Sequence, residues 1–357
     1  MSDVQGSFSG TRPVAPQHVF DEARLAEHLR SHIDGFGGDV HVEQFKGGQS
    51  NPTFLLTADG KRYVLRRKPL GMLLPSAHAV EREFRVIQAL AGSDVPVAKA
   101  HLLCEDPAVI GTAFYVMDFV EGRIYWDPTL PGMTAAERGA LYDELNRVIA
   151  ALHRVDPAAV GLGDYGKPRH YIERQVARWT KQYRASETER IEAADRLIEW
   201  LPQHLPAEGA TRIVHGDYRL DNVIFHFAEP RILAVLDWEL STLGDPLADF
   251  AYHCMTWRMQ QGASRGLAGV DVAALGIPDE VAYLQRYLER AGAGRAVSPA
   301  DWTYYLVFNM FRLVGILQGV AARALRGNAS SELAVQTGRR ARPLAEQAWA
   351  LAQTLAR

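Results

Sequence analysis

His215-Gly216-Asp217-Tyr218-Arg219-Leu220-Asp221-Asn222-Val223 is the most informative stretch of this 357-residue chain. It places an aspartate two residues after a histidine and an asparagine five residues after that aspartate, between apolar runs that predict short strands. A carboxylate can accept a proton, and an amide oxygen suits a magnesium ion. A plain hairpin is the alternative, because Asp and Asn both favour turns. The complete set of groups in this order favours a reactive loop.

A second acidic position follows the next apolar run. Asp237 stands in Ile232-Leu233-Ala234-Val235-Leu236-Asp237-Trp238-Glu239, where a predicted strand ends in carboxylates. The first stretch has the spacing of kinase catalytic loops, in which the aspartate takes the proton of the acceptor hydroxyl and the asparagine holds magnesium. Phosphoryl transfer needs metal ions to neutralise the triphosphate and a separate carboxylate to orient the nucleophile. The two stretches together predict a phosphoryl-transfer site.

The composition limits the class of protein. The chain is 47% hydrophobic, enough for a large core, and its length suggests two or three structural units. A net charge of -3 gives no field that would attract nucleic acid or an anionic membrane. The two cysteines, Cys104 and Cys254, lack metal-site spacing and fit a reducing compartment. With a polar N-terminus that has no signal-peptide core, these features predict a cytoplasmic protein without nucleic-acid or membrane partners.

The most hydrophobic stretch is Trp302 to Ala322. It contains Asn309, Arg312 and Gln318, and Arg312 divides it into two apolar runs of ten residues. Runs of that length are too short to span a bilayer, so the stretch predicts a buried helix.

Two lobes are predicted from the periodicity. In residues 18–120, which we expect to form a small nucleotide-binding lobe, strands are predicted at Val40–Phe45, Thr53–Thr57, Arg62–Arg66 and Thr112–Phe119. One helix is predicted there from Ser76 to Ala91, because apolar residues recur at helical spacing at Val80, Phe84, Ile87 and Ala91. Residues 1–17 are expected to be a flexible segment.

Residues 121–357 are expected to form a larger, mainly helical lobe that holds the catalytic loop, the metal site and the acceptor site. A capping box of Thr134 and Glu137 precedes one helix, and further helices are predicted at Ile172–Tyr183 and Glu187–Leu201. The fold class is therefore α+β: a protein-kinase-like, two-lobed fold with a small antiparallel β-rich lobe containing one helix.

Nucleotide-binding features lie in the small lobe. A turn between two strands carries Gly47, Gly48, Gln49, Ser50 and Asn51, where backbone N–H groups can approach phosphate oxygens; a simple hairpin turn is the alternative. Glu83 lies on the apolar face of the predicted helix, and burying its carboxylate is costly without a partner. Arg66 on the neighbouring strand is the expected partner, although spacing alone also fits a solvated Glu83 at the edge of that face.

These residues resemble the aminoglycoside phosphotransferase-like, choline-kinase-type family of the protein-kinase-like fold, over roughly residues 20 to 355. The resemblance is strongest to the kinase domain fused to some acyl-CoA dehydrogenases and to bacterial hydroxyacyl-CoA kinases. It is carried by GGQSNPTF, YVLRRKPLG, LLPSAHAVEREFRVI, VIGTAFYVMDFVEG, RQVARWTKQYRASET, HGDYRLDN and LAVLDWELSTLGDPLADFAY.

The resemblance implies an ATP- and Mg²⁺-dependent kinase. It implies that Asp217 is the catalytic base, that Asn222 and Asp237 hold magnesium, and that Glu83 pairs with the strand cation. Adenine is expected against the backbone after the last strand of the lobe, at Met117, Asp118, Phe119 and Val120.

One departure from the family pattern is Arg66, which stands where a lysine is usual; we interpret it as a feature of this lineage, with weakened catalysis as the alternative. His215 is expected to brace the loop by hydrogen bonds, and Asp245 and Asp249 to cap a helix and anchor the loop. Glu239 is a candidate for a further metal or acceptor contact.

The acceptor is inferred from charge. Arg174, Arg178, Lys181 and Arg184 recur at helical spacing on one face, where they could receive the phosphates of coenzyme A; a solvated helix face is the alternative. With the resemblance, this stripe favours a hydroxyacyl-CoA acceptor, phosphorylated on the acyl chain at C4, over a polycationic aminoglycoside, which requires an acidic cleft. The rival interpretations are an aminoglycoside or other amino-alcohol kinase and a non-catalytic nucleotide-binding regulatory module. The latter is disfavoured because base, metal ligands and helix glutamate are all present.

Overall fold

The computed structural model describes residues 10–46, 51–70, 78–261, 266–292, 297–325 and 337–355. Within them, an antiparallel sheet with flanking helices forms one lobe, and a mostly helical lobe follows it in the chain. This arrangement agrees with the predicted α+β class.

The small lobe is built on a six-stranded antiparallel sheet with strand order β1-β2-β3-β4-β6-β5. Its elements in chain order are β1 Thr11–Arg12, α1 Glu22–His32, β2 His41–Phe45, β3 Thr53–Ala58, β4 Lys61–Arg67, α2 Val80–Leu90, β5 Ala100–Cys104, α3 Pro107–Ile110 and β6 Phe114–Asp118. Strands form where apolar residues alternate: Phe54, Leu56 and Ala58 of β3 are buried and the residues between them are not. The four predicted strands are present, with ends that differ by one or two residues.

Four elements of this lobe were not predicted, and the short helix α3 is one of them. Helix α1 was not predicted, although Leu25 and Leu29 give it a buried face and the side chain of Asp21 accepts a hydrogen bond from Arg24 N, which caps its start. Strand β5 was missed because a bulge between Ala100 and Leu102 breaks its alternation. Strand β1 lies within the segment predicted to be flexible, and it pairs with the edge strand β2. The lobe therefore begins before residue 18 and contains more than one helix.

The large lobe contains α4 Ala135–Arg154, α5 Tyr171–Ala185, α6 Glu192–Trp200, β7 Arg212–Val214, β8 Val223–Phe225, β9 Ile232–Val235, β10 Thr242–Gly244, α7 Pro246–Cys254, α8 Val272–Leu275, α9 Glu280–Ala291, α10 Pro299–Leu325 and α11 Ala341–Ala352. The Thr134–Glu137 capping box is present at the start of α4. Helix α6 begins five residues later than predicted, because Thr188 is held outside it by hydrogen bonds from its backbone N–H and hydroxyl to Gln318.

Helix α10 is the predicted buried helix. Among the described residues it is the one helix long and apolar enough by composition to cross a membrane, yet 78% of its most apolar window is buried inside the protein. It packs against α5, α7 and α11 and forms the centre of the large lobe.

Two short antiparallel strand pairs carry the two stretches that are predicted to form the phosphoryl-transfer site. Strand β7 pairs with β10, and β8 pairs with β9, so that Val223 lies opposite Val235. The loop 215–222 therefore begins at the end of β7 and runs into β8, while Asp237 follows β9 at the same end of the hairpin.

The buried His253 on α7 is expected to make the stability of the folded protein depend on pH. Burial lowers the pKa of its imidazole to about 4, while its Nε2 lies 2.9 Å from the hydroxyl of Tyr283. Because the unfolded chain takes up this proton near pH 6.5 and the folded protein does not, stability is full above that pH and is lost as the pH falls toward 4. We expect urea unfolding to show a loss of about 3 kcal/mol over this window. His253→Asn should flatten the dependence, whereas a substitution of the exposed His41 should not; an unchanged slope in His253→Asn contradicts the assignment.

Candidate active site

The loop 215–222 is held in place by hydrogen bonds between side chains and backbone groups. The Asp249 carboxylate accepts hydrogen bonds from the backbone N–H groups of His215 (2.7 Å) and Gly216 (2.8 Å). The His215 imidazole accepts from Asp217 N at its Nδ1 (3.2 Å), and its Nε2 donates to the Leu236 carbonyl (2.8 Å). His215 thus ties the loop to the end of β9 by hydrogen bonds, as predicted.

Asp249 is itself fixed in charge and position. Burial acts to raise the pKa of its carboxyl. The hydrogen bonds from His153 and from the two loop N–H groups have the larger effect and hold this pKa below its usual value. Asp245 accepts from Leu247 N and so caps α7. Both predicted roles, helix cap for Asp245 and loop anchor for Asp249, are confirmed.

Gly216 is required by its surroundings. Its backbone φ is +82°, and a Cβ at this position would lie 2.8 Å from the Leu240 carbonyl oxygen. Any other residue would be strained and would push the loop away from Leu240.

Asp217 is partly buried in this loop, and both its carboxylate oxygens contact donors. Oδ1 accepts a hydrogen bond from the Tyr252 hydroxyl at 2.6 Å and lies 3.3 Å from Arg219 Nε. Oδ2 accepts from Asn222 Nδ2 at 3.0 Å, and the same amide donates to the Asp217 carbonyl at 2.8 Å. The carboxylate is therefore held in one orientation.

Asn222 and Asp237 lie at the same end of the paired strands β8 and β9. The Leu236 backbone N–H donates to the Asn222 carbonyl, which brings the end of the loop beside the end of β9. Asp237 has a left-handed backbone, with φ of 63° and ψ of 59°. This conformation is uncommon for residues other than glycine, and aspartate adopts it more readily than most of them.

The donors at this point fit a magnesium ion bound with phosphates. The described residues hold no cluster of three or more His, Cys, Asp or Glu that could bind a metal alone. Magnesium in phosphoryl-transfer sites instead uses one or two protein oxygens and takes its other ligands from phosphate and water. The Asp237 carboxylate and the Asn222 amide oxygen match that donor set.

The predicted pair of Arg66 and Glu83 is present and extends to Asp237, the predicted magnesium ligand. Arg66 Nε lies 3.0 Å from Glu83 Oε2, while Nη2 lies 2.8 Å from Asp237 Oδ1 and 3.5 Å from Glu239 Oε2. One guanidinium thus faces three carboxylates. Burial and the neighbouring Asp237 and Glu239 raise the pKa of Glu83 to about 7 despite Arg66. The surplus negative charge is what a bound cation would neutralise.

Asn51 lies behind this pair. Its buried side chain donates to Glu83 Oε1 at 2.8 Å, and its Oδ1 is 2.9 Å from His78 Nδ1. The side chain is therefore committed to holding the helix glutamate. The other predicted residues of this turn, Gly47, Gly48, Gln49 and Ser50, lie outside the described residues.

The connection between the lobes follows β6. The backbone N–H groups of Asp118 and Phe119 already donate to the carbonyls of Lys99 and Arg62. Met117 and Asp118 close the strand, opposite Val64 and Tyr63, and Val120 follows Phe119 in the chain. The four predicted residues are thus consecutive at the end of β6, where the chain leaves the sheet.

The predicted acceptor residues on α5 do not share one environment. Arg184 is paired with Asp195 (2.6 Å) and Glu187 (3.3 Å), and Arg174 donates to the Lys167 carbonyl. Arg178 and Lys181 are exposed. The stripe is therefore reduced to two side chains that point their charge at solvent. Glu239 lies apart from them, beside Arg66.

Three side chains at the site were not predicted to belong to it. Tyr252 and Arg219 contact Asp217, and Arg312 donates to the Gly216 carbonyl at 2.6 Å. Only Arg312 left a signal in the sequence, as a charge within an apolar helix.

A model of the phosphotransferase enzyme family matches residues 41–301. Mouse acyl-CoA dehydrogenase family member 10 is 47% identical over 343 residues, which cover 95% of this chain and 32% of the mouse protein. Human acyl-CoA dehydrogenase family member 11 is 41% identical over 338 residues, covering 93% of this chain and 43% of the human protein. The chain therefore spans 32% to 43% of the length of these curated relatives.

Solved structures share the fold. A protein of Ralstonia eutropha, described as a candidate aminoglycoside phosphotransferase, superposes with a TM-score of 0.87 at 58% identity, covering 94% of this chain and 99% of that one. Spectinomycin phosphotransferase in complex with ADP and spectinomycin superposes with a TM-score of 0.62 at 15% identity, covering 93% of this chain and 99% of that one. At that identity the likeness shows the fold alone.

Proposed function

This chain belongs to the phosphotransferase enzyme family and is a small-molecule kinase, and we propose that it transfers the γ-phosphoryl group of ATP to a hydroxyl on the acyl chain of a hydroxyacyl-CoA. The observation that supports the transfer chemistry is that Asn222 contacts Asp217 and is bonded through its carbonyl to Leu236, the residue before Asp237, at one end of the β8–β9 hairpin. The products would be ADP and a phosphoacyl-CoA, whose phosphate is a good leaving group for a later elimination.

In this proposal Asp217 orients the acceptor alcohol and takes its proton as the phosphoryl group moves in line onto the oxygen. Asn222 and Asp237 hold magnesium, which neutralises charge on the triphosphate. Arg66, held by Glu83, contacts the α- and β-phosphates. Most of the rate enhancement then comes from position and charge, because the transition state is loose and needs little proton removal.

ATP is proposed to lie between the lobes, with adenine against Met117–Val120. Since the N–H groups of Asp118 and Phe119 are already bonded, the Val120 N–H is the expected donor to the base. Support for a nucleotide comes from the spectinomycin phosphotransferase of the same fold, which was solved with ADP.

The acyl-CoA acceptor is supported by the relatives and by charge. The curated relatives named above are acyl-CoA dehydrogenase family members, and they match nearly the whole of this chain. Helix α5 presents the exposed Arg178 and Lys181, and its Trp179 packs against Arg312, which contacts the catalytic loop. Cations near an acceptor site suit the phosphates of coenzyme A and repel an aminoglycoside.

An aminoglycoside is the second candidate, favoured by the description of the Ralstonia structure. The two are separated by incubating the pure protein with ATP and magnesium against separate panels of 3- and 4-hydroxyacyl-CoAs and of aminoglycosides, with products identified by mass spectrometry. We expect a phosphate on a 4-hydroxyacyl-CoA. Phosphorylated kanamycin alone would overturn the acceptor, and no transfer to any panel member would favour a regulatory nucleotide-binding module.

A charge test addresses the same proposal at the level of residues. The double variant Arg178→Gln/Lys181→Gln is expected to raise KM for the acyl-CoA about tenfold, as one or two phosphate contacts are lost, and to leave KM for ATP unchanged. Arg184→Gln is the matched control on the same helix, because that guanidinium is already paired with Asp195 and Glu187. Steady-state kinetics that show equal effects in the double variant and the control would remove α5 from the acceptor site.

A further inference from the structure

Arg312 is a buried cation in the apolar centre of α10. Its Nη2 donates to the Gly216 carbonyl at 2.6 Å, and its guanidinium carbon lies 4.7 Å from the centre of the Tyr252 ring and 5.5 Å from that of Trp179. A buried charge of this kind is costly unless it is well paired, so its contacts indicate a specific role.

Tyr252 connects this cation to the catalytic carboxylate. It lies on α7, is 7% exposed, and directs its hydroxyl at Asp217 Oδ1 across 2.6 Å. Burial raises the pKa of its phenol, chiefly by desolvation, so the hydroxyl stays protonated and can only donate to that carboxylate.

We propose that Tyr252, held against the loop by Arg312, is a positioning residue that sets the orientation of the Asp217 carboxylate for phosphoryl transfer. The inference rests on the proposed role of Asp217 and not on the identity of the acceptor. Tyr252 fixes Oδ1 from the side of α7 while Asn222 holds Oδ2, so the two donors define the carboxylate plane.

A competing contact explains why a second donor is needed. Arg219 Nε lies 3.3 Å from the same Oδ1, and the Arg219 side chain is 42% exposed and also pairs with Asp221. Without the Tyr252 hydroxyl, the carboxylate would turn toward this guanidinium. A base displaced in this way loses its alignment with the acceptor oxygen, which lowers turnover without weakening substrate binding.

The test is Tyr252→Phe, which removes the hydroxyl and keeps the ring that Arg312 covers. We expect kcat to fall about 10- to 100-fold, with KM for both substrates within about twofold and the melting temperature nearly unchanged. Tyr283→Phe on α9 is the matched control. It removes a buried tyrosine hydroxyl that contacts His253, the neighbour of Tyr252 on α7, and that does not contact Asp217. Its kcat is expected to stay at the wild-type value.

A double-mutant cycle distinguishes positioning from a general structural effect. If Tyr252 acts through Asp217, adding Tyr252→Phe to Asp217→Ala causes no further loss of transfer. Multiplying losses, or an unchanged kcat in Tyr252→Phe, would overturn the inference. The cycle uses whichever acceptor supports the fastest turnover, so a failure of the acyl-CoA proposal leaves it intact. Full activity of Asp217→Ala, in contrast, would refute the proposed mechanism itself.

Discussion

Replacing Asp217 with alanine is expected to leave the fold and ATP binding intact and to lower phosphoryl transfer by a factor of about 10² to 10⁴. The loss has a positional cause: the alcohol then has no carboxylate to donate to, and the amide of Asn222 loses its contact with Oδ2. Calorimetric titration with Mg·ATP checks that binding is retained, and single-turnover kinetics measure the loss of phosphoryl transfer.

The neighbouring acid on the same loop provides the control. Asp221 pairs with Arg219 at 3.2 Å, as Asp217 does at 3.3 Å, but it is outside the proposed base and metal ligands. Asp221→Asn is expected to lose less than tenfold in kcat. Near-normal turnover in Asp217→Ala, or equal losses in both variants, would refute the assignment of the base.

Arg66→Met is the substitution with the largest expected effect on stability. It leaves the buried Glu83, together with Asp237 and Glu239, without the cation that all three face. Removing one partner from a buried ion pair costs about 3–5 kcal/mol, because the remaining carboxylates must either stay charged without a cation or take up protons at a cost in free energy. We expect urea unfolding to show a loss of this size and transfer to become undetectable, since the phosphate contact disappears as well.

Arg62, another arginine on strand β4, forms an exposed ion pair that provides a matched comparison. Arg62 bonds Glu121 at the surface, where the two side chains are 42% and 57% exposed, and Arg62→Met is expected to cost less than about 1 kcal/mol. Adding Glu83→Gln to Arg66→Met should restore part of the stability and none of the activity. Similar losses from Arg62→Met and Arg66→Met would show that the Arg66 cluster is not a strongly coupled buried pair.

An arginine at this strand position has a structural consequence that a lysine would not. Its Nε faces Glu83 while Nη2 faces Asp237 and Glu239, so one planar group contacts the glutamate of α2 and the two acids after β9 at once. A single ammonium cannot reproduce this fork. The geometry supports Arg66 as a functional alternative to lysine.

Local spacing was enough to predict the loop 215–222, the strands that flank it and the Arg66–Glu83 pair, while the catalytic role of the loop stays a prediction. These features depend on residues close in sequence, or on one face of one helix that must find a partner on the adjacent strand. Helix α1 was missed although Leu25 and Leu29 carry the periodicity, because the segment was too short and polar to stand out.

The contacts that complete the site depend on tertiary packing. Tyr252 reaches Asp217 from 35 residues away, and Arg312 reaches Gly216 from 96 residues away. No periodicity relates such positions, since they meet only when α7 and α10 pack beside the loop. Likewise, Arg184 on α5 pairs with Asp195 of the next helix. The sequence alone does not show this pairing, so the predicted basic stripe includes an arginine whose charge is already paired in the structure.

The most direct test of the account is a competition between acceptors in one reaction. The protein is mixed with Mg·ATP and equimolar 4-hydroxyacyl-CoA and kanamycin, and mass spectrometry measures which molecule gains the phosphate. We expect the phosphate on the acyl chain of the CoA thioester, and no phosphate on it with Asp217→Ala. Phosphate on kanamycin with the thioester unchanged would contradict it.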